Sequence, residues 1–267
     1  MFENMFLATD LDGTLLTDDK KILDKDLSAI NEFRGNGGLF TIATGRAGMY
    51  SRTIAQELGI DIPAVTINGA SVYDYKEGRT LWQSALPKSA RNLMLDIKGR
   101  FPTLGVDIIC GEDVFTISSN RRSEEHFNFT RIEPIRCTIR DVPDDGWIKM
   151  LLVDEPEVID EVVKYSAGLG ISDVHVVCSS SVFFEILPLG ANKWSGLRKL
   201  IDLAGFEGRF VVAVGDWLND LEMVKMADLG VAVANALDEV KEHADLIVCD
   251  NNCGAIYEVI EKLKNIV

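Results

Sequence analysis

The chain has 267 residues and a mass of 29.5 kDa, longer than the usual single compact domain. It is 47% hydrophobic and carries a formal net charge of −15, which argues against nucleic acid or an anionic membrane as the main partner, since both require a basic surface. Five widely spaced cysteines (Cys110, Cys137, Cys178, Cys249 and Cys253), no basic-then-apolar leader and no bilayer-length apolar stretch predict a cytoplasmic protein.

Residues 5–9 are a short apolar run and predict a strand that ends at Asp10-Leu11-Asp12-Gly13-Thr14. Residues 24–34 place Leu27, Ile30 and Phe33 at helical spacing, closed by Gly35, Gly37 and Gly38. A second strand over residues 39–43 leads into Thr44-Gly45-Arg46. A helix containing Tyr50, Ile54 and Leu58 follows, then a third strand over residues 64–67 that ends at Asn68-Gly69-Ala70. Short apolar runs separated by helices describe a parallel sheet covered on both faces.

The rhythm changes between Leu86 and Pro188. Strands over residues 147–153 and 174–177 alternate, which predicts an antiparallel sheet with one wet face and helices on the other. Helices are expected over residues 89–101 and 156–169, the second with Val158, Ile159, Val162 and Val163 on one stripe. Arg121-Arg122 followed by Glu124-Glu125 reads as a solvated charged loop. Pro87 and Pro188 stand near the changes of rhythm as candidate hinges.

After the insertion, Trp194, Leu197, Leu200, Ile201 and Ala204 form a helical stripe ending at Gly205. Residues 210–214 are the next strand and lead into Gly215-Asp216-Trp217-Leu218-Asn219-Asp220. A helix over residues 221–227, strands over 229–232 and 246–248, and a helix with Ile256, Val259, Ile260 and Leu263 complete the chain.

Two acid clusters at the carboxyl ends of parallel strands can meet at one sheet edge, where ligands of open α/β sheets bind. Clustered carboxylates repel unless a hard cation sits among them, and oxygen-only ligands select Mg²⁺ or a close relative. Gly13 permits a sharp turn that gives Asp10 and Asp12 different surroundings. One acid can then act as nucleophile on phosphorus while the other protonates the leaving oxygen and later activates water. A transferring phosphoryl group also needs clamps. Thr44 sits just past the second strand, and Lys193 opens a helix, whose start favours anions. Arg46 is a further candidate clamp whose direction stays open. Asn68-Gly69 is a turn signal first and a substrate-side loop second, and Asn235 is a weaker candidate of the same kind. His126, His175 and His243 lack metal-like spacing and read as structural. Cys249 and Cys253 have no second ligand pair and read as structural thiols.

Asp10-Leu11-Asp12-Gly13-Thr14-Leu15-Leu16, Ala43-Thr44-Gly45-Arg46, Asn68-Gly69-Ala70, Glu185-Ile186-Leu187-Pro188, Lys193 and Gly215-Asp216-Trp217-Leu218-Asn219-Asp220 occur in one order along the whole chain. In that order the chain resembles the haloacid dehalogenase-like phosphatases, and within them the Cof-type subfamily with a large α/β cap. The resemblance implies an α/β fold: a Rossmann-like parallel-sheet core of residues 1–85 and 189–267, with an α+β cap domain of residues 86–188 that closes over substrate. It implies that Asp10 forms an aspartyl-phosphate and that Asp12 is the general acid/base, with its backbone carbonyl on Mg²⁺. It makes Asp216 a metal ligand and Asp220 a ligand directly or through water. Thr44 and Lys193, with Gly45, Arg46 and Asn68 beside them, would hold the phosphoryl group, and Asn219 would support that region. Two departures stand out. Ala232-Val233-Ala234 occupies the place where the family usually has Met and Gly before the Asn, and Trp194 follows Lys193 where a small residue is common.

The activity implied is Mg²⁺-dependent hydrolysis of small phosphorylated metabolites, such as sugar phosphates or phosphorylated cofactors. The alternatives are a phosphotransferase or phosphomutase using the same intermediate, and a metabolite sensor without turnover. The oligomeric state is not written in the sequence.

Overall fold

The computed structural model describes residues 1–130 and 132–265. The chain divides into two compact units, one of Met1–Trp82 and Asn192–Val267, the other of Gln83–Ala191. The first stretch forms β1 (Met5–Thr9), α1 (Asp24–Gly35), β2 (Leu39–Ile42), α2 (Gly48–Glu57), β3 (Ala64–Thr66), β4 (Ser71–Asp74) and β5 (Arg79–Gln83). The inserted unit adds α3 (Ser89–Arg100), β6 (Gly105–Cys110), β7 (Asp113–Ser118), α4 (Arg121–Thr130), β8 (Ile135–Arg136), β9 (Trp147–Val153), α5 (Pro156–Ala167), β10 (Val174–Ser180) and β11 (Phe183–Pro188). The chain then returns through α6 (Lys193–Ala204), β12 (Phe210–Gly215), α7 (Leu221–Met226), β13 (Leu229–Val233), α8 (Asp238–His243), β14 (Leu246–Val248) and α9 (Ala255–Leu263).

The core sheet is parallel, in the order β14-β13-β12-β1-β2. Successive side chains on a strand go to opposite faces. Leu7 and Val212 pack with Ile30 and Phe33 of α1 and with Ile256, Val259, Ile260 and Leu263 of α9. Phe6, Ala8 and Ala213 pack on the other side with Leu197 and Leu200 of α6. Helices cover both faces, which is why these strands read as unbroken apolar runs. Each fully buried Leu, Ile, Val or Phe among them stabilises the fold by about 1.5–3 kcal/mol.

In the core sheet β1 and β12 are neighbours, with Thr9 opposite Val214, and Asp10 N–H donates to Val214 O at 3.0 Å. That pairing brings the loops after β1 and β12 to the same carboxyl edge, with the Asp10 loop beside the Asp216 loop. Helix α6 starts in a reciprocal cap: Asn192 Oδ1 accepts from Ser195 N–H at 2.8 Å, and Ser195 Oγ accepts from Asn192 N–H at 3.0 Å. Such a cap contributes about 1 kcal/mol, and here it fixes the turn that carries Lys193.

The third strand differs from its expected form. It stops at Thr66, pairs antiparallel with β4, and meets the core sheet through a single parallel bridge between Val65 and Ala43. Ile67 and Asn68 both adopt a φ of +51°, which ends the strand and turns the chain back.

The inserted unit is a sheet in the order β10-β11-β9-β6-β7-β8, antiparallel except where β8 joins β7. Met94 and Ile97 of α3 and Ile159 and Val162 of α5 pack with Val106, Ile108, Met150, Leu152 and Ile186. The expected wet face of β9 is not there. Every residue of β9 is buried, because Lys149 pairs with Glu185 of β11 at 2.7 Å instead of reaching water. Residues 121–130 form helix α4 where a loop was expected; Arg121 and Arg122 each pair with Glu125 and with Glu155, so the charges support a helix start. Among the described residues no helix is long and apolar enough to cross a membrane. The architecture is α/β, a parallel-sheet core with an inserted α+β unit.

Candidate active site

Asp10 follows β1 directly and is 6% exposed, while its neighbour Asp12 keeps its side chain 38% exposed. The chain turns just after Asp12, where Gly13 takes a φ of +85°. A side chain at Gly13 is not tolerated, since its first carbon would lie 2.5 Å from Asp216 Oδ2. The close approach lets Thr14 Oγ1 donate to Asp216 Oδ1 at 2.6 Å, joining the two acid clusters.

Lys193 is fully buried and donates from Nζ to Asp10 Oδ1 at 2.6 Å and to Asp220 Oδ1 at 2.5 Å. The other oxygen of Asp220 accepts from the backbone N–H groups of Asp216 and Trp217 at 3.0 and 3.1 Å. Asp220 therefore ties Lys193 to the turn that carries Asp216. Gly215 makes room for it, because a carbon added there would lie 2.4 Å from Asp220 Cβ.

Asp10, Asp216 and Asp220 each offer a carboxylate oxygen, and these oxygens lie within 4.8 Å of one another. Three buried carboxylates around one ammonium leave an excess of negative charge. Burial raises Asp10 to about 7, helped by Asp220 and Asp12 and opposed by Lys193. Burial likewise raises Asp216 to about 8, with Asp220 and Asp10 adding to it. Burial alone would lower Lys193, but the charges of Asp10 and Asp220 outweigh it and raise the ammonium above its ordinary range. The donor set is oxygen only, which fits a hard divalent cation among Asp10, Asp216 and Asp220. Such a charge would favour the ionised form of both raised acids.

Asp12 lies in a different environment. Arg46 donates from Nε to Asp12 Oδ2 at 2.8 Å and from Nη2 to Oδ1 at 2.7 Å, and Lys20 Nζ stands 3.0 Å from Oδ1. Burial pushes this acid up, but Arg46 and then Lys20 outweigh it and hold it at about 2. The structure thus gives Arg46 a direction that spacing left open: its guanidinium is on Asp12. The Asp12 side chain is outside the group formed by Asp10, Asp216 and Asp220.

Thr44 is 1% exposed, and its Oγ1 accepts from Arg46 N–H at 3.2 Å. A hydroxyl that accepts there still has its proton to donate. Asn219 Nδ2 donates to Asn68 Oδ1 at 3.0 Å, and a carbon added at Gly45 would lie 3.0 Å from that same Oδ1. Thr44, Gly45, Asn68 and Asn219 therefore form one neighbourhood, while Asp10, Asp216, Asp220 and Lys193 form another.

Around the site, Asn235 was only a weaker candidate by spacing, while Asn251 and Lys20 were not singled out. Asn251, at the loop after β14, donates from Nδ2 to Leu16 O at 2.9 Å and to Asp18 Oδ1 at 3.0 Å. Asn235 Nδ2 donates to Gly13 O at 2.7 Å, and Asn235 Oδ1 accepts from Asn251 N–H at 3.1 Å. These two asparagines pin the segment that follows Asp12. Their signal was available, since both follow strands of the same sheet at its carboxyl edge. Lys20, with a φ of +60°, gave none.

Fold and site together define a hydrolase built on an open parallel sheet with buried acids at its carboxyl edge. A description of the haloacid dehalogenase-like hydrolases matches residues 7–260, and the chain belongs to that family. The 5-amino-6-(5-phospho-D-ribitylamino)uracil phosphatase YcsE of Bacillus subtilis is 32% identical over 245 residues, covering 92% of this chain and 90% of that one. The pyridoxal phosphate phosphatase YbhA of Escherichia coli is 28% identical over 269 residues, covering 95% of this chain and 96% of the other. A solved haloacid dehalogenase-like hydrolase from Bacteroides thetaiotaomicron superposes with a TM-score of 0.83 at 23% identity, covering 98% of this chain and 100% of that one.

Proposed function

We propose that the protein is a Mg²⁺-dependent phosphatase of small phosphorylated metabolites, sugar phosphates or phosphorylated cofactors, working through an aspartyl-phosphate on Asp10. The observation that carries this reading is the buried set in which Lys193 holds Asp10 at 2.6 Å beside Asp216 and Asp220. The names of the Bacillus subtilis and Escherichia coli relatives support a small phosphorylated substrate.

On this reading a carboxylate oxygen of Asp10 forms a bond to phosphorus as the bond to the leaving oxygen breaks, and Asp12 gives that oxygen a proton. Asp12 then takes a proton from water, water oxygen bonds to phosphorus, and the Asp10–phosphorus bond breaks. Asp12 is ionised against Arg46, so it must leave Arg46 and take up a proton from solvent before it acts as an acid, and leaving Arg46 also raises its basicity for the water step. Lys193 and the N–H groups around Thr44 and Gly45 neutralise the phosphoryl oxygens. Mg²⁺, when bound by Asp10, Asp216 and the backbone carbonyl of Asp12 with Asp220 behind them, supplies charge neutralisation on the phosphoryl group. Residues 1–85 and 189–267 carry this chemistry, residues 86–188 are the cap, and five free thiols support a cytoplasmic setting.

The test is phosphate release from a panel of sugar phosphates and phosphorylated cofactors, in Mg²⁺ and in EDTA, for wild type and Asp10→Asn. Release that needs the metal and disappears in the variant is the expected result. Release undiminished in Asp10→Asn would remove Asp10 as nucleophile, and transfer of phosphate to an added sugar in place of release would replace hydrolase by transferase.

A further inference from the structure

Three consecutive residues after β3 adopt left-handed backbone: Ile67 and Asn68 at a φ of +51° and Gly69 at +91°. Asn and Gly tolerate this region, but a β-branched residue does not, so Ile67 is a true outlier. Such strain persists only where the surroundings over-determine it, and it gathers at functional sites. Ile67 is 3% exposed and Asn68 is 1% exposed, so the turn is held inside the core unit.

What holds it is specific. Ile67 N–H donates to Arg46 O and Asn68 N–H to Thr44 O, each at 3.0 Å, while Thr44 N–H donates to Val65 O at 3.0 Å. The turn thereby grips the Thr44-Gly45-Arg46 loop from both sides. Its opposite side presses on the start of α6, since a carbon added at Gly69 would lie 1.8 Å from Asn192 O and 3.1 Å from Lys193 N. Gly196, one turn further along α6, likewise leaves only 2.7 Å between an added carbon and Gly69 Cα. The Asn68 side chain completes the set by accepting from Asn219 Nδ2 at 3.0 Å. Three separate segments, those of Thr44, Lys193 and Asn219, are therefore referred to one strained turn.

We propose, resting on the phosphatase reading above, that Asn68 is a positioning residue: its turn and its side-chain oxygen set Thr44, Asn219 and Lys193 at the spacing a phosphoryl group requires, without itself touching the substrate. The left-handed backbone sets the distance between the Thr44 loop and α6. The Asn68 oxygen sets the orientation of Asn219. A residue of this kind acts on the alignment of the transition state more than on the affinity of the ground state.

The experiment compares Asn68→Gly, Asn68→Asp, Asn219→Ala and the double variant Asn68→Gly/Asn219→Ala in the full-length protein. Glycine keeps the left-handed backbone and removes the carboxamide that carries the acceptor, so the protein is expected to remain folded with a cooperative melting transition. Its kcat is expected to fall by about 10- to 100-fold, the scale of a misplacement of roughly 1 Å, with KM changed by less than about threefold. Asn219→Ala should lose the same factor, and the double variant no more than either alone, because both remove one contact. Asn68→Asp, which keeps an acceptor oxygen in a left-handed turn, should recover part of the loss. Wild-type kcat in Asn68→Gly, or losses that multiply in the double variant, would overturn the proposal. Should wild type release no phosphate in Mg²⁺, the phosphatase reading fails by itself. Orthovanadate affinity, read from its effect on melting, then decides Asn68: affinity weakened in Asn68→Gly and Asn219→Ala alike supports the role, and affinity unchanged in both rejects it.

Discussion

Among the described residues two lysines are buried, Lys149 in one unit and Lys193 in the other. Lys149 of β9 pairs with Glu185 of β11 at 2.7 Å, and nearby Asp107 of β6 accepts from Thr116 Oγ1 at 2.6 Å. Burial raises Asp107 to about 7, so this group of charges comes close to balance near neutral pH. Lys193 has Asp10 and Asp220 as direct partners and Asp216 behind them, three acids against one ammonium. Burial raises one acid beside Lys149 but two beside Lys193, Asp10 and Asp216, so the core group holds two protons that a bound cation could displace.

The largest effect expected from this contrast is on folding. Lys149→Met leaves Glu185 buried without its cation and should cost about 3–5 kcal/mol in denaturant unfolding. Lys149→Met/Glu185→Leu should restore most of that loss, since replacing both members of a buried pair with apolar groups is close to neutral. A double variant as unstable as the single would show that the pair is more than self-contained.

The core centre should respond to a cation. Mg²⁺ at 100 times its dissociation constant is expected to stabilise wild type by about 2.7 kcal/mol. Asp216→Asn, which removes a ligand and one excess charge, should melt higher than wild type in EDTA and gain little from Mg²⁺. Equal Mg²⁺ stabilisation of both proteins would place the cation elsewhere.

A smaller effect concerns pH. Because the folded state holds the proton on Asp107 to about 7, the associated stability is complete below the ordinary carboxyl range near pH 4 and is lost as pH rises through 7. Asp107→Asn stays neutral and can still accept from Thr116. Its stability relative to wild type should grow by about 1–2 kcal/mol between pH 4 and 8, less than the ~1.4 kcal/mol per pKa unit that an unrelaxed site would give. A flat difference across that range would mean the carboxyl ionises freely in the folded state.

The strands that make the core were legible because both faces are covered, so burial shows as plain apolar runs at residues 5–9 and 210–214. Strand adjacency then made the meeting of Asp10 and Asp216 foreseeable, and the helix start made Lys193 a sound candidate. What could not be read was set by distant partners. The alternation of β9 suggested a wet face because Lys149 looks solvated until Glu185, 36 residues later, is known to sit on the next strand but one from β6. Periodicity reports which residues share a face, not what lies opposite. Arg46 was legible as a cation near the site, but its turn toward Asp12 depends on two separate loops. The left-handed backbone at Ile67 runs against its own residue preference and is imposed by Thr44, Arg46 and α6.

The central claim, that Asp10 carries the phosphoryl group, is tested most directly by trapping. Wild-type protein turning over a substrate from the panel in Mg²⁺ is quenched in acid, reduced with borohydride and mapped by peptide mass. An aspartyl-phosphate is reduced to homoserine, so conversion of residue 10 to homoserine, absent in EDTA and absent without substrate, is the predicted result. Phosphate release with Asp10 unconverted, or conversion at another acid such as Asp12 or Asp216, would contradict the account.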